Sequence, residues 1–441
     1  MITQPHSADR PLNRQDVKTL LLAALGGALE FYDFIIFVFF ATVLGQLFFP
    51  PGEAPWLKDL QAYGIFAAGY LARPLGGIVM AHFGDRQGRK RMFTLSVFLM
   101  AVPTFAIGLL PVYGAVGVAA PVLLLALRVL QGAAIGGEVP GAWVFVAEHV
   151  PAPRVGFACG SLTAGLTLGI LLGSLVATGI HGAFGEAAIA AYAWRLPFLI
   201  GGVFGLIAVF LRRWLDETPV FEAMRRERVL ARELPLSLVL RDHFRAVVVS
   251  MLATWVLTAA IVVVILMTPT LLQTRYHLPA EQVLVAGCLA SFCLGLGCIV
   301  AGLATDAVGV GPTLGIGSVL LAVMTYVLYA VAGSAPGWVL PVYALTGFTV
   351  GTVGVVPTIL VRGFPPAVRF SGISTAYNIA YALFGGLTPV IITLLLQQGL
   401  TDAPPLYVGA LCLLGVTLAA TGWHRIGAVR QVERAVAAVA D

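Results

Sequence analysis

Apolar residues fill this chain in runs of about 20, each bounded by a glycine, a proline or a charged cluster, and a run of that length crosses a bilayer as one helix. Twelve such spans are predicted, near 20–48, 62–83, 92–111, 121–147, 157–180, 195–213, 246–271, 283–304, 313–332, 338–361, 370–397 and 406–424. The stretch at 119–148 is long enough to tilt or to extend past the membrane. The run from Thr19 to about Phe49 is too long for a secretory signal and has no small-residue cleavage site, so it reads as an uncleaved first helix. The expected fold is all-α and integral to the membrane, with twelve transmembrane helices in two six-helix halves.

The polar segments set the division. One long connection, 214–244, leaves a half at 1–213 and a half at 245–441. Within it Pro219 and Pro235 bracket a charged stretch from Phe221 to Glu233, which reads either as a short helix on the membrane surface or as a solvated linker. A weak internal repeat supports two halves. Shifted by 221, the segment His82 to Gly88 lies over Leu303 to Gly309; shifted by 215, Gly132, Gly136, Pro151 and Arg154 fall on Gly347, Gly351, Pro366 and Arg369.

Composition fixes the solvent. Hydrophobic residues make up 59% and charged residues 11% of the 441, with a mean hydropathy of +0.94, whereas a soluble domain carries roughly 25% charged residues. The outer surface therefore faces lipid. A net charge of +5 would also suit nucleic acid, but its placement argues otherwise. With the N-terminus inside, 21 of the 26 basic residues fall on the cytoplasmic side, among them Arg10, Arg14, Lys18, the cluster Arg86 to Arg91, Arg154, eight arginines between Arg212 and Arg245, Arg362, Arg369, Arg425, Arg430 and Arg434. Only Lys58, Arg195 and Arg275 fall outside, and Arg73 and Arg128 lie within spans. That bias predicts two cytoplasmic termini and no nucleic-acid partner.

Enzyme chemistry finds little support. The five cysteines, Cys159, Cys288, Cys293, Cys298 and Cys412, sit in apolar runs and read as buried small hydrophobes. All seven histidines lie in tails, loops or helix ends, so none stands at mid-membrane to serve a nucleophile or a metal. No phosphate loop is present. Neither a metal nor an organic cofactor is expected.

The motifs narrow the class. Gly84-Asp85-Arg86-Gln87-Gly88-Arg89-Lys90-Arg91, with Arg73-Pro74-Leu75-Gly76-Gly77 upstream, resembles the signature loop of the major facilitator superfamily. Five further segments resemble its metabolite–proton symporter family: Gly27-Ala-Leu-Glu30-Phe-Tyr-Asp33-Phe; Arg128-Val-Leu-Gln131-Gly132 with Gly136-Gly137-Glu138; Trp194-Arg195-Leu-Pro197-Phe; Asp216-Glu217-Thr218-Pro219; and Arg369-Phe-Ser-Gly372 leading to Asn378 and Gly385-Gly386. The resemblance runs from residue 27 to 386. It implies import of an organic acid, betaine or similar small metabolite with protons as the coupling ion, in a bacterial inner (plasma) membrane. The second half departs from the pattern. Its loop keeps Asp306 and Gly309 without the basic residues, and Arg362-Gly363 stands where the family usually has Glu before Phe-Pro. A charge latch at the cytoplasmic end is therefore expected of half one, built from Asp85, Arg86, Arg89, Glu148 and Arg154, and not of half two.

Ionisable residues at membrane depth cost several kcal/mol each and mark function. Glu30 and Asp33 lie about 18 and 22 Å along a helix from Lys18, share one face, and so approach the midplane. Arg73, Arg128, Gln131 and Glu138 are likewise internal. Three carboxylates, Glu30, Asp33 and Glu138, then stand against two arginines, so protonating one of them leaves the cluster neutral, which favours a proton-carrying role. Resemblance to the related sugar porters implies that Asp33 and Arg128 form the coupling pair. Arg73, Arg128, Gln131, Tyr70, Trp143, Tyr377, Asn378 and Tyr381 are the candidate substrate contacts, the alternative being that they lock helices together. Pro269, after Thr268, is expected to break its helix and free carbonyls. The glycine stripes Gly132/Gly136 and Gly165/Gly169/Gly173 permit close helix contact.

The expected activity is proton symport of a small organic acid or zwitterion by alternating access of a monomer. Export by the same fold is the alternative, weakened because span five lacks the Gly-Pro pair of the drug–proton antiporters.

Overall fold

A computed structural model describes residues 10–212, 214–226 and 235–422. Twelve of its helices are long and apolar enough to cross a membrane: α1 (Arg14–Phe39), α2 (Pro55–Gln87), α3 (Arg89–Leu109), α4 (Ala119–His149), α5 (Ala152–Ala183), α6 (Arg195–Arg212), α7 (Phe244–Thr274), α8 (Ala280–Val308), α9 (Val310–Ser334), α10 (Pro336–Gly363), α11 (Pro366–Gln397) and α12 (Ala403–Ala420). No strand occurs among the described residues. All twelve predicted spans are present.

Two boundaries differ from expectation. The first span breaks at Phe40, whose backbone leaves the helical region, and continues as a separate short helix, Ala41–Phe48. In the linker, helices Pro219–Arg226 and Pro235–Asp242 each begin at a proline. The expected single stretch from Phe221 to Glu233 thus ends its described part at Arg226; 227–234, together with Arg213, Arg425, Arg430 and Arg434, lies outside the described residues.

The two halves are built alike, and glycine is the reason the helices approach so closely. At Gly132 and Gly136 of α4 a Cβ would strike the backbone of Gly69 and Arg73 in α2. At the repeat-equivalent Gly347 and Gly351 of α10 it would strike Ala290 and Gly297 in α8. The loops α2–α3 and α8–α9 turn on Gly88 (φ 126°) and Gly309 (φ 95°), which are equivalent under the shift of 221 and hold a backbone conformation that side chains disfavour. Gly165, Gly169 and Gly173 seat α5 on α1.

Between the halves, α5 packs along α8 and α2 along α11. Leucines such as Leu71 (68% exposed), Leu75 (72%) and Leu413 (67%) form the outer, lipid-facing surface. The loops rich in arginine, including 84–91 and 362–370, gather at one end of the bundle, called here the basic end.

The expected helix break at Pro269 takes a milder form. From Ala260 to Met267 the helix widens by one residue per turn. The Thr268 hydroxyl donates to the Val263 carbonyl at 2.9 Å, and the Tyr343 hydroxyl donates to Val264 at 2.6 Å. The carbonyls expected to face a cavity are thus satisfied by side chains.

Candidate functional site

At the basic end the halves are joined by buried polar contacts. The Asp85 carboxylate accepts the Ser371 N–H at 2.9 Å and lies 3.1 Å from Arg89, both side chains being fully buried. Arg89 also donates to Pro366 O at 2.7 Å and approaches Glu148 at 3.4 Å. Glu148 reaches Arg369 of half two at 3.1 Å and accepts from the Thr218 hydroxyl at 2.7 Å. Glu217, from the Asp216-Glu217-Thr218-Pro219 motif, accepts the N–H groups of Arg89 and Lys90 and so caps α3.

Half two carries an equivalent contact of another kind. Asp306 accepts the N–H groups of Gly156 and Phe157 at 2.7 and 2.8 Å, capping the first turn of α5. The partner of this carboxylate is a helix N-terminus, which needs no basic side chain. Arg86 is exposed beside His82, whereas Arg154, exposed on the rim, stands close enough to Asp306 to act on its charge, as does Arg362. Arg369, Ser371 and Glu217 take part without having been singled out as latch residues.

Deeper in the bundle, Arg73 of α2 is 2% exposed and enclosed by tyrosines. Its guanidinium carbon lies 4.4 Å from the ring centre of Tyr381, 5.4 Å from Tyr377 and 5.5 Å from Tyr70. Tyr70 and Tyr381 stack across the halves at 5.7 Å, and Trp143 meets Tyr377 edge-on at 4.9 Å. Two guanidinium nitrogens of Arg73, Nε and Nη2, have no hydrogen-bond partner among the described residues. Tyr70, Tyr377 and Tyr381 thus converge on one arginine, with Trp143 behind Tyr377. Asn378 differs: its amide donates to Gly136 O at 2.6 Å and to Ser374 O at 2.9 Å, tying α11 to α4.

Asp33 and Arg128 do not form the direct pair that the sugar-porter resemblance implied. Arg128 donates to Phe34 O at 3.0 Å and to Gln131 at 2.9 Å, with its guanidinium over the Phe34 ring. Gln131 donates in turn to the Thr104 hydroxyl at 2.7 Å. Asp33, fully buried, sits beside the Thr104 hydroxyl and against Gly201 of α6, and its carboxylate forms no ion pair among the described residues. Two uncharged residues therefore stand between the acid and the arginine. Arg128 has its echo in half two, since Tyr343 is its repeat-equivalent and also bonds to a carbonyl of the first helix of its half.

Glu30 and Glu138 meet a residue that sequence reasoning assigned to the cytoplasmic surface. Arg212, the last residue of α6, is 1% exposed; its Nη2 lies 2.5 Å from Glu30 and 3.9 Å from Glu138. It also donates to Phe93 O. Away from the basic end, Glu30, Asp33 and Glu138 therefore stand with three guanidiniums, Arg73, Arg128 and Arg212, and the excess of one carboxylate inferred from the sequence does not hold once Arg212 joins this set. A motif of Glu at this depth in two helices was the one available signal that a cation had to lie nearby.

Residues 20–389 match the Major Facilitator Superfamily. The glycine betaine/proline/ectoine/pipecolic acid transporter OusA of Dickeya dadantii (strain 3937) is 32% identical over 408 residues, spanning 88% of this chain and 79% of that protein. The proline/betaine transporter of Escherichia coli (strain K12) is 31% identical, over 88% of this chain and 80% of that one. Among solved structures, the proton:xylose symporter XylE bound to 6-bromo-6-deoxy-D-glucose superposes with a TM-score of 0.77 at 18% identity, over 93% of this chain and 96% of that one. That last likeness is one of fold. The chain belongs to the Major Facilitator Superfamily and is a multi-pass membrane transporter rather than an enzyme.

Proposed function

We propose that the protein imports a small zwitterion carrying a carboxylate and a quaternary or secondary ammonium, of the betaine and proline kind, together with a proton. The observation that carries this reading is Arg73: a buried guanidinium with two nitrogens free of hydrogen-bond partners, ringed by Tyr70, Tyr377 and Tyr381. An unpaired buried guanidinium is costly unless an anion pairs with it, and a carboxylate fits its planar fork. The same tyrosine faces attract a cation, so a substrate with both charges has a partner for each. The names of the relatives point to the same chemistry.

The proton belongs on Asp33. Burying the ionised form without a partner costs several kcal/mol, and taking up a proton removes that cost. Arg128, reached through Thr104 and Gln131, carries the state of Asp33 toward Tyr70, which stacks on Tyr381 of the other half. Alternating access follows from the contacts at the basic end: with Asp85, Arg89, Glu148 and Asp306 engaged, that end is closed, and releasing them lets the halves rock open. By the distribution of basic residues this end is cytoplasmic, in a bacterial inner membrane.

The test is the pH change of a weakly buffered suspension of de-energised cells expressing the protein, on addition of glycine betaine, proline, dicarboxylates or aromatic acids. Alkalinisation on adding a zwitterion, absent in Asp33→Asn, is expected. Alkalinisation with dicarboxylates alone overturns the zwitterion reading, and no response to any compound by correctly inserted protein overturns proton-coupled import and favours export.

A further inference from the structure

Arg212 is oriented against its surroundings. An arginine at the end of a membrane helix ordinarily extends to the interface, where water solvates its charge. Arg212 instead turns into half one, places its guanidinium over the Phe93 ring, and lies between Glu30 of α1 and Glu138 of α4. Oε1 of Glu30 meets the Arg212 guanidinium, while Oε2 of Glu30 and Oε2 of Glu138 have no hydrogen-bond partner among the described residues. One guanidinium here faces two carboxylates, and it neutralises one at a time.

Among the described residues, the neighbouring helices α2, α3 and α5 supply no further charge here. Helix α3 contributes the Phe93 ring and carbonyl and the Thr104 hydroxyl; α2 contributes Met80 against Gly137, and α5 contributes Leu162 and Leu166 against Gly27. The remaining ionisable neighbour is Asp33, one helical turn from Glu30 on the same face of α1. Arg128, Gln131, Thr104, Asp33, Glu30, Arg212 and Glu138 thus form one polar file inside half one, while the Arg73 cage lies between the halves.

We propose that Glu30, Arg212 and Glu138 are a proton-release station, which receives the proton of Asp33 and delivers it to the basic end through half one, apart from the substrate's route. This rests on Asp33 being the proton carrier. The arrangement seen, with Arg212 on Glu30, leaves Glu138 to hold the proton. When Glu138 loses that proton to water, its carboxylate draws Arg212 across and frees Glu30. The O–H bond on Asp33 then breaks as one forms on Glu30. Return of Arg212 to Glu30 passes that proton on to Glu138. One proton enters and one leaves, and the guanidinium stays paired throughout.

The experiment uses the full chain in liposomes with labelled glycine betaine and proline as probes. Uptake driven by an imposed pH gradient is compared with counterflow exchange, which requires no net proton release. In Glu138→Gln and Glu30→Gln, gradient-driven uptake is expected to fall about tenfold or more, while counterflow stays within about twofold of the unmodified protein. Arg212→Lys keeps the charge and loses the fork, so it should impair driven uptake selectively as well. Glu30→Asp, which retains a carboxyl, should restore driven uptake relative to Glu30→Gln. Equal loss in both assays, driven uptake at the unmodified level in both Gln variants, or failure of Glu30→Asp to restore it overturns the release station. Absence of gradient-driven uptake of either probe by the unmodified protein overturns instead the symport reading on which it rests.

Discussion

The Asp306 carboxylate accepts the Gly156 N–H at 2.7 Å, and its repeat-equivalent Asp85 accepts the Ser371 N–H at 2.9 Å. The four residues correspond pairwise, Asp85 to Asp306 by the shift of 221 and Gly156 to Ser371 by the shift of 215. Each half therefore caps a helix of the other at the basic end. A side-chain cap of this kind is worth about 1 kcal/mol, so Asp306→Ala should open the basic end by roughly fivefold in population. Spin labels at Ala152 and Val308, both exposed, would report the change as a longer distance component.

Glu148 should matter more. It is the shared acceptor of Arg89, Arg369 and Thr218, and removing its charge leaves Arg369 without a carboxylate and Arg89 with Asp85 alone. Breaking a buried pair from one side costs about 3–5 kcal/mol. Glu148→Gln is expected to lower the unfolding temperature clearly in detergent and to bias the protein toward an open basic end, as read by thermal unfolding and by the same spin-label pair.

The Arg73 cage separates charge from shape. Arg73→Lys retains the cation but gives up the planar fork, and the loss of one bidentate, charge-assisted contact should weaken glycine betaine binding by about tenfold to a hundredfold. Tyr381→Phe keeps the ring face and should stay within about twofold, whereas Tyr381→Ala removes a cation–π contact of about 1–2 kcal/mol. Binding calorimetry on the purified protein distinguishes the three.

Asp33→Asn should abolish accumulation against a gradient while leaving the chain inserted and folded, because the amide fills the same space beside Gly201 without carrying a proton. Accumulation of glycine betaine by energised cells at the unmodified level, in a variant shown to be correctly inserted, refutes the assignment of Asp33.

Most of the fold was legible because membrane insertion is nearly a one-dimensional problem. Backbone groups in lipid must bond within their own segment, so run length alone predicts twelve helices, and the stripes Gly132/Gly136 and Gly165/Gly169/Gly173 mark two close helix contacts whose partners only the structure names. The clustering of arginines between spans located one common end of the bundle, and Arg73 with its tyrosines was visible as polar residues inside apolar runs. What the chain order left undetermined was which way a side chain turns and what meets it there. Arg212 closes an apolar run beside other arginines, and nothing local distinguishes an outward turn from an inward one. The choice falls to Glu30 and Glu138, which lie 182 and 74 residues earlier in the chain and become its neighbours only when α1, α4 and α6 pack. The same holds for Asp306, whose lack of basic neighbours in the chain mattered little once the first turn of α5 came to rest on it. Hydropathy sets the helices because solvent acts on each segment separately; the buried charges are paired by tertiary packing, because a charge at depth takes the partner that the folded neighbours bring within reach.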